Sequence, residues 1–298
     1  MMRRIFLIEH NQVMKQKILW IELAALALII VGMYLLLYAT TFIQLPEGAA
    51  AGSAEAQAAE SAREQLAMVE PMITWPGSLI NALGMTGGGL GGILIIIFTG
   101  AVVSQEFHWR TLHLWLARGV PRPVFAGARF LSLLLPALLI VLAALLSAGT
   151  VSLVITAAMY GSFRAEQVDL GQLAFATLRT AYTLLPYAGL AFLLAVVTHS
   201  AVASIGIGLT YALLFESLLT QLLMLVGGMG AELVKFLPVA LASSLMQGNN
   251  AIARGAPVIE QAGMTMLPEL GAALGVAIYT LVFVGLAIQS LRRQDLAG

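Results

Sequence analysis

The sequence contains no cysteine and very little charge, and each absence excludes a class of protein. Without cysteine the chain has no disulfide, no thiolate metal site and no thiol nucleophile. Charged residues form 10% of the chain, against roughly 25% in a typical soluble domain. Acidic and basic residues balance at 15 each, which argues against a basic nucleic-acid binder, so we expect no nucleic-acid partner. Since 60% of the residues are hydrophobic, much of the surface is expected to face lipid.

Long apolar stretches recur along the chain and indicate its fold class. A bilayer core about 30 Å thick needs roughly 20 apolar residues in a helix. Six stretches meet this length: Ile18–Ile43, Leu79–Val103, Phe130–Ala158, Gln172–Val197, Ala201–Val226 and Glu269–Ser290. They lack the period-two alternation of barrel strands. The sequence therefore predicts an all-α, polytopic membrane protein with six transmembrane helices, forming one transmembrane domain over residues 1–298.

The distribution of lysine and arginine predicts how this domain is oriented, because these residues are retained on the cytoplasmic side. With the N-terminus inside, ten basic residues lie in inner segments and four in outer segments. The outer loops carry most of the acidic residues. We therefore expect both termini to be cytoplasmic.

Three segments outside the six stretches also have a readable pattern. Residues 1–17 mix apolar and basic side chains, which predicts an amphipathic interfacial helix. The outer loop 44–78 includes Ala49–Glu70, which is rich in helix formers and predicts a short exposed helix. Ala231–Met246 is apolar but too short to cross and is interrupted by Pro238, which predicts a re-entrant or interfacial segment.

The longest inner loop, Ser104–Arg129, has amphipathic spacing before a break at Gly119–Pro121. Such a segment either lies on lipid or provides a docking surface for a soluble partner, and periodicity leaves both interpretations open.

Glycines within the second stretch formally match a nucleotide-binding pattern at residues 87–92. That pattern indicates a dinucleotide site only between a strand and a helix, so close helix packing or a local helix irregularity is the better interpretation. We predict helix packing at Gly84, Gly88 and Gly92.

The rest of the sequence contains no recognisable nucleotide-binding, metal-binding or catalytic motif. It has no GxxxxGK[ST] motif and no HExxH spacing, and we predict no histidine within the bilayer. We therefore expect no catalytic residue, no cofactor and no metal ion in this chain, which is not predicted to be an enzyme.

Arg179 and Glu216 are the two ionisable residues best placed inside predicted spans. A charge at the bilayer centre costs about 2.5–3.5 kcal/mol, so such residues usually have a partner or face water. Both lie roughly 10–15 Å below the outer surface. We therefore predict an Arg179–Glu216 interaction, direct or through water, beside an outward cavity, with a purely structural bridge as the alternative. Glu22 lies about one turn from Lys17 and is expected to extend to the inner interface.

The order of these features resembles the membrane subunits of type-two ABC transporters, the six-helix exporter permeases. The matching stretches cover most of the chain: the N-terminal helix with Glu9, Lys15 and Lys17; Gln105 and Glu106 with Thr111 and Leu112; Leu116–Arg122; Phe236–Pro238; and Leu291–Asp295.

This resemblance implies a permease domain in the plasma (inner) membrane of a bacterium, working as an exporter. Its partners would be two copies of a separate ABC ATPase subunit, a second permease copy forming a dimer, and membrane lipid. The resemblance also implies a cytoplasmic coupling helix between spans two and three, with polar contacts to the ATPase from Glu106, Arg110, Thr111, Arg118 and Arg122.

Two other functions remain open. An ion-coupled secondary transporter would use Arg179 and Glu216 as substrate or proton groups, although no repeat between the first and last three spans is visible. A non-transporting membrane scaffold is the other alternative. The abundance of Leu, Ala and Gly in the spans favours amphipathic cargo over a small ion.

Overall fold

The structure is a computed structural model that describes residues 11–41, 67, 69–108, 121–161, 168–252 and 266–293. Within these ranges the chain is helical and contains no β-strand. Among the described residues, six helical spans are long and apolar enough to cross a membrane: Lys17–Thr40, Gly77–Phe107, Arg122–Tyr160, Leu170–Thr198, Ala201–Val226 and Glu269–Arg293. The predicted six-helix, all-α architecture of a multi-pass membrane protein is confirmed at this level.

The bounds of the six spans differ from the predicted ones mainly in the third. It begins at Arg122 rather than Phe130, so part of the predicted inner loop is helical. Pro121 is extended, and Pro123 lies in the first helical turn. Backbone N–H groups of the first turn have no acceptor within the helix, so proline is tolerated there. The third span therefore starts inside the segment that the sequence assigns to the loop.

Four spans consist of two helical segments each. Their segments are Gly77–Met85 and Gly91–His108; Arg122–Ser132 and Leu134–Tyr160; Leu170–Thr183 and Leu185–Thr198; and Ala201–Thr210 and Glu216–Val226. In the third and fourth spans the break precedes Pro136 and Pro186, which cannot donate an N–H to the preceding turn. In the second and fifth spans the connection is a π turn.

The π turn of the second span is Thr86–Leu90, which confirms the local irregularity predicted at the glycines. The π turn of the fifth span, Tyr211–Phe215, contains no glycine and was not predicted. It directly precedes Glu216, and such turns often occur at functional positions.

A helical hairpin connects the fifth and sixth spans. It consists of Met229–Val234, Pro238–Met246 and the 3₁₀ turn Gln247–Ile252. Gly227 and Gly228 have φ of +66° and +48° and form the turn that leads into it. The predicted break at Pro238 is confirmed, while the depth of the hairpin in the bilayer stays a prediction.

The hairpin packs against the fourth and sixth spans. Leu241 and Leu245 form a small core with Ala272 and Val276 of the sixth span. At Gly275 an added Cβ would lie 2.7 Å from Leu241, so the two helices touch through glycine. The hairpin is thus a packed part of the bundle.

The bundle has two ends. The basic end includes Lys17, Arg122 and Arg293, and the hairpin end includes Leu170 and Glu269. Spans two and four are the most buried, while spans one, five and six keep most of their apolar side chains at the surface, as expected beside lipid.

Three predicted segments fall wholly or mainly outside the described residues. Of the predicted N-terminal interfacial helix, residues 11–14 are helical and Val13 is buried. Residues 1–10, 42–66 and 109–120 are outside, and with them most of Ala49–Glu70 and the centre of the predicted coupling helix.

Candidate functional site

Glu216 is buried where the fourth and fifth spans meet the hairpin, with 2% of its surface exposed. Its Oε2 accepts a hydrogen bond from the Tyr187 hydroxyl at 2.9 Å, and its Oε1 accepts one from the backbone N–H of Val239 at 2.6 Å. Val239 is the second residue of the helix Pro238–Met246, whose N-cap residue Leu237 makes no side-chain cap. The Glu216 carboxylate therefore caps this helix from another part of the chain, where a negative group is favoured.

Arg179 connects the fourth span with the hairpin and the sixth span. Its Nη1 donates to Asn249 Oδ1 at 3.1 Å, and its Nη2 lies 2.8 Å from Glu269 Oε1. The guanidinium also lies over the ring of Phe175, 5.0 Å from the centroid. A Cβ at Gly248 would collide with the guanidinium, so the hairpin approaches Arg179 through glycine.

The predicted interaction between Arg179 and Glu216 is not a direct contact, because each residue binds other partners. Glu216 contacts the start of the hairpin helix Pro238–Met246, and Arg179 contacts Asn249 just beyond its end. The interaction through water stays a prediction.

Comparing depths along two neighbouring spans could not reveal these partners, because the hairpin groups that bind the two charges lie further along the chain. Val239 is 23 residues after Glu216, and Asn249 is 70 residues after Arg179. Asn249 of the hairpin, Tyr187 of the fourth span and Glu269 of the sixth span were also missed, because no local pattern marks them as partners of these two charges.

At the basic end, Glu106 pairs with Arg129. Glu106 Oε1 lies 2.5 Å from Arg129 Nη2, and the side chains are 13% and 3% exposed. Arg129 also donates to the Val102 carbonyl at 3.4 Å. The Glu106 carboxylate thus joins the second span to the third, and its contact with an ATPase stays a prediction.

Arg122 joins the start of the third span to the end of the sixth. Its Nη1 donates to the carbonyls of Leu291 at 3.1 Å and Arg292 at 3.0 Å. These carbonyls belong to the last turn of the sixth span, where a cation is favoured. Arg110, Thr111 and Arg118, the other predicted coupling residues, lie outside the described residues.

Glu22 is also placed differently from the prediction. It is 6% exposed, and within the described part of the chain neither carboxylate oxygen has a hydrogen-bond partner. It shares the buried face of the first span with Leu19 and Leu26. The expected extension to the interface is therefore wrong.

The predicted packing glycines differ in their surroundings. A Cβ at Gly92 would lie 3.4 Å from the Tyr187 ring, which confirms a packing position. A Cβ added at Gly84 or Gly88 would have no atom within 4 Å. Both glycines line a cavity of about 570 Å³. Close packing instead involves Gly87 and Gly91. A Cβ added at Gly87 would lie 2.8 Å from Met246 Sδ, and one added at Gly91 would lie 2.9 Å from Leu184 Cδ2.

The comparisons with known proteins assign the chain to a family. No curated protein matches the sequence. A family model described as "Protein of unknown function (DUF2705)" matches residues 89–297, from the π turn of the second span almost to the last residue. This match covers well over half of the sequence, so the chain belongs to the DUF2705 family of proteins of unknown function.

Proposed function

We propose that this chain is the membrane-spanning permease subunit of an ATP-driven exporter, in which a separate ABC ATPase acts on the connection between spans two and three. Two ATPase copies and a second permease copy would complete the assembly in a bacterial plasma membrane. The ATPase would bind the basic end, which we expect to be cytoplasmic because lysine and arginine are retained on that side.

The observation that carries this proposal is the anchoring of both flanks of residues 109–120. On one side Glu106 pairs with Arg129, and on the other Arg122 binds the terminal carbonyls of the sixth span. Phe107 also stacks on His199 in the turn between the fourth and fifth spans, with ring centroids 4.5 Å apart.

A force on this connection would reach several spans together, because these contacts join spans two, three and six. An ATP-driven cycle requires such an arrangement, in which a local change moves rigid elements between two positions. The absence of a P-loop in the sequence fits this division of labour, since the partner would bind and hydrolyse the nucleotide.

The test is co-purification with the candidate ATPase after co-expression, comparing the parent chain with Arg118→Glu. Arg293→Glu is the matched control, because it reverses an exposed charge at the same end outside the connection. We expect Arg118→Glu to lose the ATPase and Arg293→Glu to retain it. Retention of the ATPase by Arg118→Glu, or the lack of any bound ATPase in the parent, would contradict the proposal.

The buried carboxylates support a second candidate, an ion-coupled transporter. Glu22 and Glu216 are 6% and 2% exposed, and intramembrane carboxylates can carry protons. Transport into vesicles reconstituted with this protein, with an ion gradient but without ATP, would favour this candidate. Transport that stops without ATP and survives collapse of the gradient would favour the permease.

A further inference from the structure

The cavity beside the broken second span has open space next to three glycines. Gly84, Gly88 and Gly89 line it, and no atom lies within 4 Å of a Cβ added at any of them. Gly87, in the same π turn, instead contacts Met246 of the hairpin. The second span therefore contacts the hairpin at Gly87, while Gly84, Gly88 and Gly89 border the cavity. A volume of about 570 Å³ falls within the roughly 300–1,000 Å³ of sites for small organic molecules.

The hairpin side of the cavity carries neutral hydrogen-bonding groups. Gln247 and Asn250 are three residues apart in a 3₁₀ turn, so their side chains lie on the same side, and both line the cavity. Ser243 lies one helical turn earlier, and Asn81 contributes an amide from the second span. The Asn250 amide makes no hydrogen bond to any part of the chain that the structure describes.

The remaining lining is apolar, with Ile80, Leu90 and Ile93 beside methionines. Methionine adapts its shape to differing apolar ligands. None of the described lining residues is ionisable, so an ion entering the cavity would lose hydration without gaining a counter-charge. Hydroxyl, ester or amide groups, by contrast, can exchange hydrogen bonds with Gln247, Asn250 and Asn81.

We infer that this cavity binds an uncharged amphipathic molecule, with its apolar part along Ile80, Leu90 and Ile93 and its polar part at Gln247 and Asn250. Its role as a substrate site rests on the proposed function, while binding itself does not. The glycines provide the space and the hairpin provides the recognition.

The test uses two photoactivatable probes with the same diazirine-bearing acyl chain, one a monoacylglycerol and the other a fatty acid. The purified chain is labelled in lipid nanodiscs, and the labelled peptides are identified by mass spectrometry. We expect the monoacylglycerol to label residues 72–93 and 243–250, and an excess of unlabelled monoacylglycerol to suppress the signal. The charged fatty acid is expected to label these peptides much less.

Two variants alter the cavity in different ways. Gly84→Leu fills it and is expected to weaken labelling about tenfold or more, the change that 1.4 kcal/mol produces. Gly206→Leu is the matched control, since Gly206 also has nothing within 4 Å but lies on the exposed face of the fifth span. Asn250→Leu removes the amide that would bind the polar part of the ligand and leaves Gly84, Gly88 and Gly89 in place. It is expected to weaken labelling by the monoacylglycerol.

Labelling that unlabelled lipid does not suppress, equal labelling by the fatty acid, or full labelling of folded Gly84→Leu would overturn the inference. If Gly84→Leu fails to fold, full labelling of Asn250→Leu has the same consequence. No ATPase is present in this experiment. Specific labelling together with failed ATPase co-purification would therefore retain the binding site and reject the permease.

Discussion

Glu216 and Arg179 contact opposite ends of one short helix: Glu216 accepts the N–H of Val239 near its start, and Arg179 binds Asn249 just beyond its end. The helix Pro238–Met246 is thereby attached at its start to the fifth span and at its end to the fourth. Both charges that the sequence places inside the bilayer fix the position of the hairpin.

Replacing Glu216 tests its role as a cap. Glu216→Leu leaves the Val239 N–H and the Tyr187 hydroxyl without their acceptor, so we expect a loss of about 1–3 kcal/mol in the free energy of unfolding. Glu216→Gln keeps one acceptor oxygen and is expected to lose less. Denaturant unfolding in detergent measures both.

Glu232→Gln provides the comparison for Glu216, because it removes a hairpin carboxylate that is 57% exposed and pairs with Lys235. Exposed pairs contribute about 0–1 kcal/mol, so we expect a small change. Equal stability of Glu216→Leu and the parent would show that the cap contributes nothing.

Substituting Gly248 tests the close approach of the hairpin to Arg179. In Gly248→Ala the new methyl group occupies the position of the guanidinium, so Arg179 must move away from Asn249 or Glu269. Moving the end of a flexible side chain costs little by itself, so the expected loss of about 1.5–3 kcal/mol comes from the weakened hydrogen bond of the charged guanidinium. A thermal melt in detergent detects this loss. Gly285→Ala is the control, since a Cβ at this position has no atom within 4 Å. An equal decrease of the melting temperature in both variants would rule out a specific clash at Gly248.

A double-mutant cycle tests the Glu106–Arg129 pair. Arg129→Met leaves Glu106 with 13% exposure and without this partner, and removing one member of a buried pair costs about 3–5 kcal/mol. We expect Glu106→Met combined with Arg129→Met to be more stable than Arg129→Met alone, because neither charge then remains. Additive losses, measured by denaturant unfolding, would mean that the two side chains are not coupled.

Replacing Arg122 tests whether it caps the sixth span. Arg122→Gln removes the charged donor to the Leu291 and Arg292 carbonyls, so we expect residues 288–293 to exchange their amide hydrogens faster. The expected cost is about 0.3–2 kcal/mol. Lys17→Gln removes an exposed charge from the same end and should leave exchange at residues 288–293 unchanged.

The positions of the spans could be predicted because each depends only on local composition. The fifth span begins at Ala201 and ends at Val226 both in the prediction and in the structure. The break at Pro238 and the irregularity at Thr86–Leu90 could also be predicted, because proline and glycine change the backbone of the helical turn in which they occur.

The partners of the charged residues could not be predicted from local patterns. Arg179 binds Glu269, 90 residues later, and Glu216 binds a backbone N–H that no side-chain pattern marks. Glu106 and Arg129 stand at the two ends of the predicted loop Ser104–Arg129, and their pairing was not predicted. Each outcome depends on how distant segments pack.

The glycines of the second span divide into positions open to substitution and positions that are not. Gly84, Gly88 and Gly89 can each accept a side chain that would narrow the cavity without moving a helix. A side chain at Gly87 would have to displace the Met246 side chain, and one at Gly91 would collide with the backbone carbonyl of Thr86. Evolution could therefore alter the size and selectivity of this cavity through single substitutions while the surrounding bundle stayed the same.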